Sequence, residues 1–264
     1  MVASRADLID AVERSPQAFS VHDRDGWVGA FTPDARIEDP VGSRPHVGHA
    51  EIYRFYDTFV GPRDIAFHRD LDIVSGTTVV RDLELEVAMG AAVTMHIPAF
   101  LRYDLREHDG QWQIAELRAY WELPAMVVQF LRTGPRAATP ALRLSRGLLT
   151  NQKVRGTAGF MAGFRRVGTR HKKLVEVLLG GAADGDAAAV RGVLSPGAAT
   201  TLGDDEPLDV ADFVERVRGA HPLKTIGAGF TVVTSLGTRD GRGVLFADVD
   251  RRGRAVDRIR YFPA

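Results

Sequence analysis

The strongest constraint on this fold is that the chain repeats itself. Asp23, Trp27, Gly29, Phe31, Pro33 and Ala35 are answered, at one constant offset and without a gap, by Asp186, Val190, Gly192, Leu194, Pro196 and Ala198. Ile52-Tyr53-Arg54-Phe55 is echoed by Phe213-Val214-Glu215-Arg216. Leu117-Arg118-Ala119-Tyr120 is echoed by Ile259-Arg260-Tyr261-Phe262. So long a period means two copies of one domain rather than a stack of short repeats. The chain of 264 residues has room for both.

Within the first copy the hydrophobic period changes once. Leu8, Ile9, Val12 and Phe19 make a helical stripe with Pro16 as a kink. A short helix is predicted from Trp27 to Phe31, a turn at Pro33-Asp34 and a strand from Ala35 to Asp39, closed by Pro40-Val41-Gly42. Gly48 precedes a helix with Ile52, Phe55, Tyr56 and Phe59 on its apolar positions. After Gly61-Pro62 the period becomes two, through Ile65, Phe67, Leu71 and Ile73. Val79–Met89 and Val93–Leu105 follow, then His108-Asp109-Gly110 as a hairpin turn and Trp112–Trp121. Helices first and consecutive strands after them predict an α+β domain with an antiparallel sheet.

This reading divides the chain into 1–123, a linker or helical arm at 124–170, and 171–264. Met126, Val127, Val128, Phe130 and Leu131 suit a short helix in the arm. The basic run RRVGTRHKK at 165–173 reads as a solvated face. Lys and Arg together number 34 and so do Asp and Glu, a balance that argues against a nucleic-acid partner, whose phosphates call for a basic excess. Cysteine is absent, so disulfides, thiolate zinc sites and a cysteine nucleophile are excluded. The charged N-terminus lacks a signal peptide's apolar core, and no apolar run is long enough to span a membrane. The expectation is a soluble, cytoplasmic protein without cofactor or metal.

Asp23-Arg-Asp25-Gly-Trp27, then Phe31-Thr-Pro-Asp34-Ala-Arg-Ile-Glu38-Asp39-Pro40-Val41-Gly42-Ser43, and finally Ile52-Tyr-Arg-Phe55-Tyr56 carry a resemblance. Together with Arg118-Ala119-Tyr120-Trp121, they resemble the bacterial Δ5-3-ketosteroid isomerases of the nuclear-transport-factor-2-like (SnoaL-like) superfamily. The resemblance is close over residues 5–123 and general over 171–264. It implies tandem cone-shaped domains, each a curved antiparallel sheet wrapped by N-terminal helices around an apolar pocket. It also implies catalysis by one Asp as general base, with a Tyr and a protonated Asp polarising the substrate oxygen.

By this resemblance the base falls on Asp39. Spacing alone favours a plain Asp-Pro turn. The two oxygen-polarising positions fall on Ser15 and Pro98, so both usual donors are lost. Tyr56 falls on a family pocket Tyr. Tyr56 and Ser15 are the candidate substitutes, while Phe31, Phe55, His96, Pro98, Tyr120 and Trp121 are the candidate pocket lining. In the second copy Leu202 stands at the position of Asp39, so that copy lacks the base. The expected function is binding of a steroid or similar flat apolar ligand, with proton-transfer isomerisation by Asp39. The alternatives are a carrier without turnover, or another SnoaL-like activity such as cyclase, hydrolase or dehydratase. The second copy is expected to make the protein a pseudo-dimeric monomer, with a homodimer as the alternative.

Overall fold

A computed structural model describes residues 3–88, 93–132 and 168–264. The chain divides into two compact units, Met1–Arg165 and Arg166–Ala264, and each is described by itself.

The first unit opens with helix α1 (Arg5–Ser20). Ser4 starts it with a capping box: its hydroxyl accepts from the Asp7 N–H, and the Asp7 carboxylate accepts from the Ser4 N–H. Leu8, Val12, Ser15 and Phe19 form its buried face, with Pro16 tolerated inside. Helix α2 (Arg24–Gly29) is capped by Asp23. Strand β1 (Phe31–Glu38), the short β2 (His46–Val47) and helix α3 (His49–Phe55) follow, α3 running on as a π turn over Tyr56–Val60. Then come four long strands: β3 (Asp64–Ser75), β4 (Thr78–Ala88), β5 (Thr94–His108) and β6 (Gln111–Tyr120). Helix α4 (Leu123–Arg132) ends the described part of this unit.

The sheet order is β2-β1-β6-β5-β4-β3. Strands β3 to β6 pair antiparallel in chain order, as the alternation predicts. Asp109 and Gly110 both adopt positive φ in the turn between β5 and β6. The all-antiparallel expectation fails at β1, which lies parallel to β6 with Ile37 opposite Leu117 and Glu38 opposite Arg118. The sheet is therefore mixed. The turn expected at Pro33-Asp34 is instead part of β1. Proline has no N–H for the ladder, and the pairing with β6 shifts register between Phe31 and Arg36 to pass it.

The second unit repeats this design. Helices α5 (Thr169–Asp184) and α6 (Ala187–Val193) lead to β7 (Leu194–Leu202) and the short β8 (Glu206–Pro207). Helix α7 (Val210–Arg216) precedes β9 (His221–Ala228), β10 (Thr231–Thr238), β11 (Gly241–Val249) and β12 (Val256–Pro263). The order β8-β7-β12-β11-β10-β9 matches the first sheet strand for strand, including a parallel β7–β12 pair. Asp186 caps α6 as Asp23 caps α2, and Phe213 is buried where Ile52 is. The repeat seen in the sequence is thus a repeat of fold. The short helix expected near Met126 is α4. Residues 133–167, which hold most of the expected linker and part of the basic run, lie outside the described residues.

One buried charge network ties α1 to the sheet. The Arg81 guanidinium, 2% exposed, donates to both Asp72 oxygens at 2.8 and 2.9 Å and to Glu13 at 2.5 Å. Arg69 bridges the same two carboxylates from the solvent side. Removing one partner strands a desolvated charge. Asp72→Ala is expected to cost about 3–5 kcal/mol, and Glu13→Gln clearly less because Glu13 is partly exposed. Urea unfolding of the two variants checks this; equal and small losses would mean that the network contributes nothing.

Candidate functional site

The parallel β1–β6 pair sets the geometry of the site. Ile37 and Leu117 are paired, so the two chains leave the sheet side by side, β1 into Asp39 and β6 into Trp121. The turn after Asp39 is pinned on both sides. The Val41 N–H donates to the Ala119 carbonyl at 2.8 Å, and the Gly42 N–H donates to Glu38 Oε1 at 2.8 Å. The Trp121 indole N–H then donates to Asp39 Oδ1 at 2.5 Å. Among the described residues it is the only hydrogen-bond donor to this carboxylate.

Asp39 lines a cavity of about 180 Å³. Phe55 and Phe59 from α3 and its π turn form one wall, and Ile65, Leu85, Val87, Met95 and Ile97 from the sheet form another. Trp121 and, from α4, Met126, Val127 and Phe130 cover it. Arg63, on the turn before β3, completes the lining. Asp39 is half-buried, and the part left open faces this apolar space. Desolvation pushes its carboxyl up to about 6, against a smaller downward pull from the Trp121 hydrogen bond. The group therefore holds or gives up a proton near neutral pH, as a proton-transfer residue must.

Of the residues singled out from sequence, the cavity gathers Asp39, Phe55 and Trp121. Tyr56 is buried elsewhere. Phe55 and Phe59 share one helix face and Tyr56 lies about 100° round from it. Its ring packs 5.4 Å from Trp27, and its hydroxyl has no partner among the described residues. Phe31 packs 4.9 Å from Trp27 in the core. Ser15 is buried on α1 and is not part of the lining. His96 and Pro98 are corrected outright as pocket residues. On β5 it is Met95, Ile97 and Ala99 that face inward, so the intervening His96 and Pro98 are exposed, and His96 pairs with Glu84 at 2.9 Å. Tyr120 is buried opposite Phe100, on the face away from Ala119.

The sequence reading missed Arg63 in the lining and Tyr103 in the core beneath it. Tyr103 follows from the phase of β5: counting in twos from Met95 reaches it. It is fully buried, and desolvation holds its phenol well above the ordinary tyrosine range, against a smaller downward pull from the Arg81 charge. Arg63 carries no sequence signal beyond a lone cation after Gly61-Pro62. Among the described residues no group of three or more His, Cys, Asp or Glu could hold a metal ion. No helix among them is long and apolar enough to cross a membrane. In the second unit Leu202 ends β7 where Asp39 follows β1, so the repeated fold lacks the carboxylate. That unit has its own cavity of about 290 Å³ between α5 and strands β9 and β10.

Residues 12–122 match the family model of the SnoaL-like domain. Similar solved structures each align with about half of this chain. One is a Δ5-3-ketosteroid isomerase from Mycobacterium sp., 27% identical over 46% of this chain and 96% of that one, with a TM-score of 0.36. A second is a Mycobacterium tuberculosis protein in complex with estradiol-17β-hemisuccinate, 22% identical over 45% and 95%, TM-score 0.41. A third is an LEH-like epoxide hydrolase of M. tuberculosis, 18% identical over 51% and 97%, TM-score 0.42.

The raised carboxyl has a consequence for stability. Asp39 binds its proton more tightly folded than unfolded, since about 6 lies above the ordinary 3.8. Its contribution is therefore fully present below about pH 4 and lost as pH rises through about 6. Asp39→Asn removes the ionisation. The variant is expected to exceed the parent in stability at pH 8 by up to about 3 kcal/mol, with the gap closing by pH 4. Denaturant unfolding across this range checks it; a gap independent of pH would contradict a raised carboxyl.

Proposed function

With residues 12–122 forming a SnoaL-like domain, we propose that its cavity binds a flat apolar small molecule and that Asp39 shuttles a proton on it. The observation that carries this reading is a single carboxylate in an apolar cavity, raised to about 6 and held by one indole N–H. A carboxylate so placed takes a proton from one carbon and returns it to another without metal or redox chemistry. Trp121 fixes the carboxylate through Oδ1, leaving Oδ2 to reach the ligand. The sequence likeness around Asp39 to ketosteroid isomerases supports a Δ5-3-ketosteroid as the first substrate to try. In that reaction the proton leaves C4 and returns at C6, and the ring alkene moves into conjugation with the ketone.

Size bears on the choice. A cavity of about 180 Å³ is below the roughly 300–1,000 Å³ of sites that enclose drug-sized ligands. A steroid therefore seats only if α4, with Met126, Val127 and Phe130, gives way. Carriage without turnover is the second reading, and one observation favours it: among the described residues no serine, threonine or tyrosine hydroxyl lines the cavity. Loss of one oxygen-polarising donor costs about 10²–10³ in rate. The proposed isomerase is accordingly a slow one.

The test is isomerisation of androst-5-ene-3,17-dione, followed by ultraviolet absorbance of the conjugated product. Turnover is expected in the wild type, with kcat/KM rising through about pH 6 to a plateau as Asp39 ionises. Asp39→Asn is expected to lose at least about 10²-fold while still binding the steroid. Binding with no turnover in either protein would establish the carrier.

A further inference from the structure

Arg63 is the cation in the cavity lining, and its position is only half explained by the fold. Its Nη1 donates to the main-chain carbonyls of Thr58 at 2.8 Å and Phe59 at 2.5 Å, closing the π turn. That uses one nitrogen. Among the described residues Nε and Nη2 have no partner, and no carboxylate forms an ion pair with this guanidinium. Elsewhere on the same unit several buried or half-buried arginines pair with carboxylates: Arg81 with Asp72, Arg102 with Asp104, Arg118 with Glu116. Desolvation lowers the Arg63 pKa to about 10, with no compensating charge. A half-buried cation with free donors offers charge-assisted hydrogen bonds to an anion that enters the cavity. The planar fork of arginine suits the two oxygens of a carboxylate.

We propose that Arg63 receives a carboxylate carried by the ligand, so that the cavity selects flat apolar carboxylic acids. This rests on the reading of the cavity as a ligand site and names the chemical class of that ligand. The arrangement also fixes its direction. Asp39 and Arg63 share the lining without forming an ion pair, and they sit on different elements, one after β1 and the other before β3. An anionic end is attracted to Arg63 and repelled by ionised Asp39. The apolar body then fills the space lined by Ile65, Leu85 and Val87, which Asp39 and Trp121 also line.

The experiment compares 3-oxoandrost-4-ene-17β-carboxylic acid with its methyl ester, by calorimetry, on the full chain. The acid is expected to bind the wild type about 10-fold or more tighter than the ester, as charge-assisted hydrogen bonds allow. Arg63→Gln, which keeps a donor for the helix carbonyls, is expected to abolish that preference and leave ester affinity within about twofold. Equal binding of acid and ester by the wild type would overturn this inference alone. So would equal weakening of both in Arg63→Gln, since Arg63 would then only cap the turn. The wild-type comparison stands even if the variant fails to fold. Failure of both compounds to bind the wild type would overturn the ligand-cavity reading, and this inference with it.

Discussion

The parallel pairing of β1 with β6 is the constraint on which the rest depends. The first strand of each unit lies beside the last, so residues far apart in sequence leave the sheet together. In the first unit this sets Asp39 against Trp121 across 82 positions of chain. Neither residue has a role without the other. The indole holds the carboxylate at the rim of an apolar space, and the apolar space keeps the carboxyl close to neutral pH. A parallel pair also needs a long crossover. Here the crossover is α3 and three antiparallel strands, which build the walls of the cavity that the pair opens into.

The second unit shows what the same pairing does without the chemistry. Strand β7 lies along β12 as β1 lies along β6, but the strand ends in Leu202 and no carboxylate is delivered. Fold and site are separable in this chain. One copy keeps the scaffold and the acid. The other keeps the scaffold alone, so the carboxylate is separable from the architecture.

Much of this was legible in the sequence, and what was not has physical reasons. The repeat, the order of helices and strands and the hairpin at Asp109-Gly110 follow from local pattern, and the candidacy of Asp39 from the resemblance of its surroundings to a known family. Pro33 misled because a proline usually marks a turn, whereas here a register shift carries it within β1. His96 and Pro98 were put on the wrong face of β5, because an alternating strand gives its period more readily than its phase. Tyr56 is adjacent to Phe55 in the chain but a third of a turn away on the helix. Arg63 was invisible because one arginine after a turn reads as a solvated charge until a cavity is found beside it. The Trp121 bond to Asp39 is a tertiary contact that no local pattern encodes.

Proton transfer in this cavity rests on one property, a carboxylate desolvated by apolar side chains and steadied by one indole. The most direct measurement is the pKa of Asp39 itself, by carbon-13 NMR titration of the side-chain carboxyl, assigned by its loss in Asp39→Asn. A midpoint of about 6, moving higher when Trp121→Phe removes the hydrogen bond, is the expected result. A midpoint near the ordinary 3.8, unmoved by the Trp121 change, would contradict the account: Asp39 would be a solvated turn residue and the cavity no site for proton transfer.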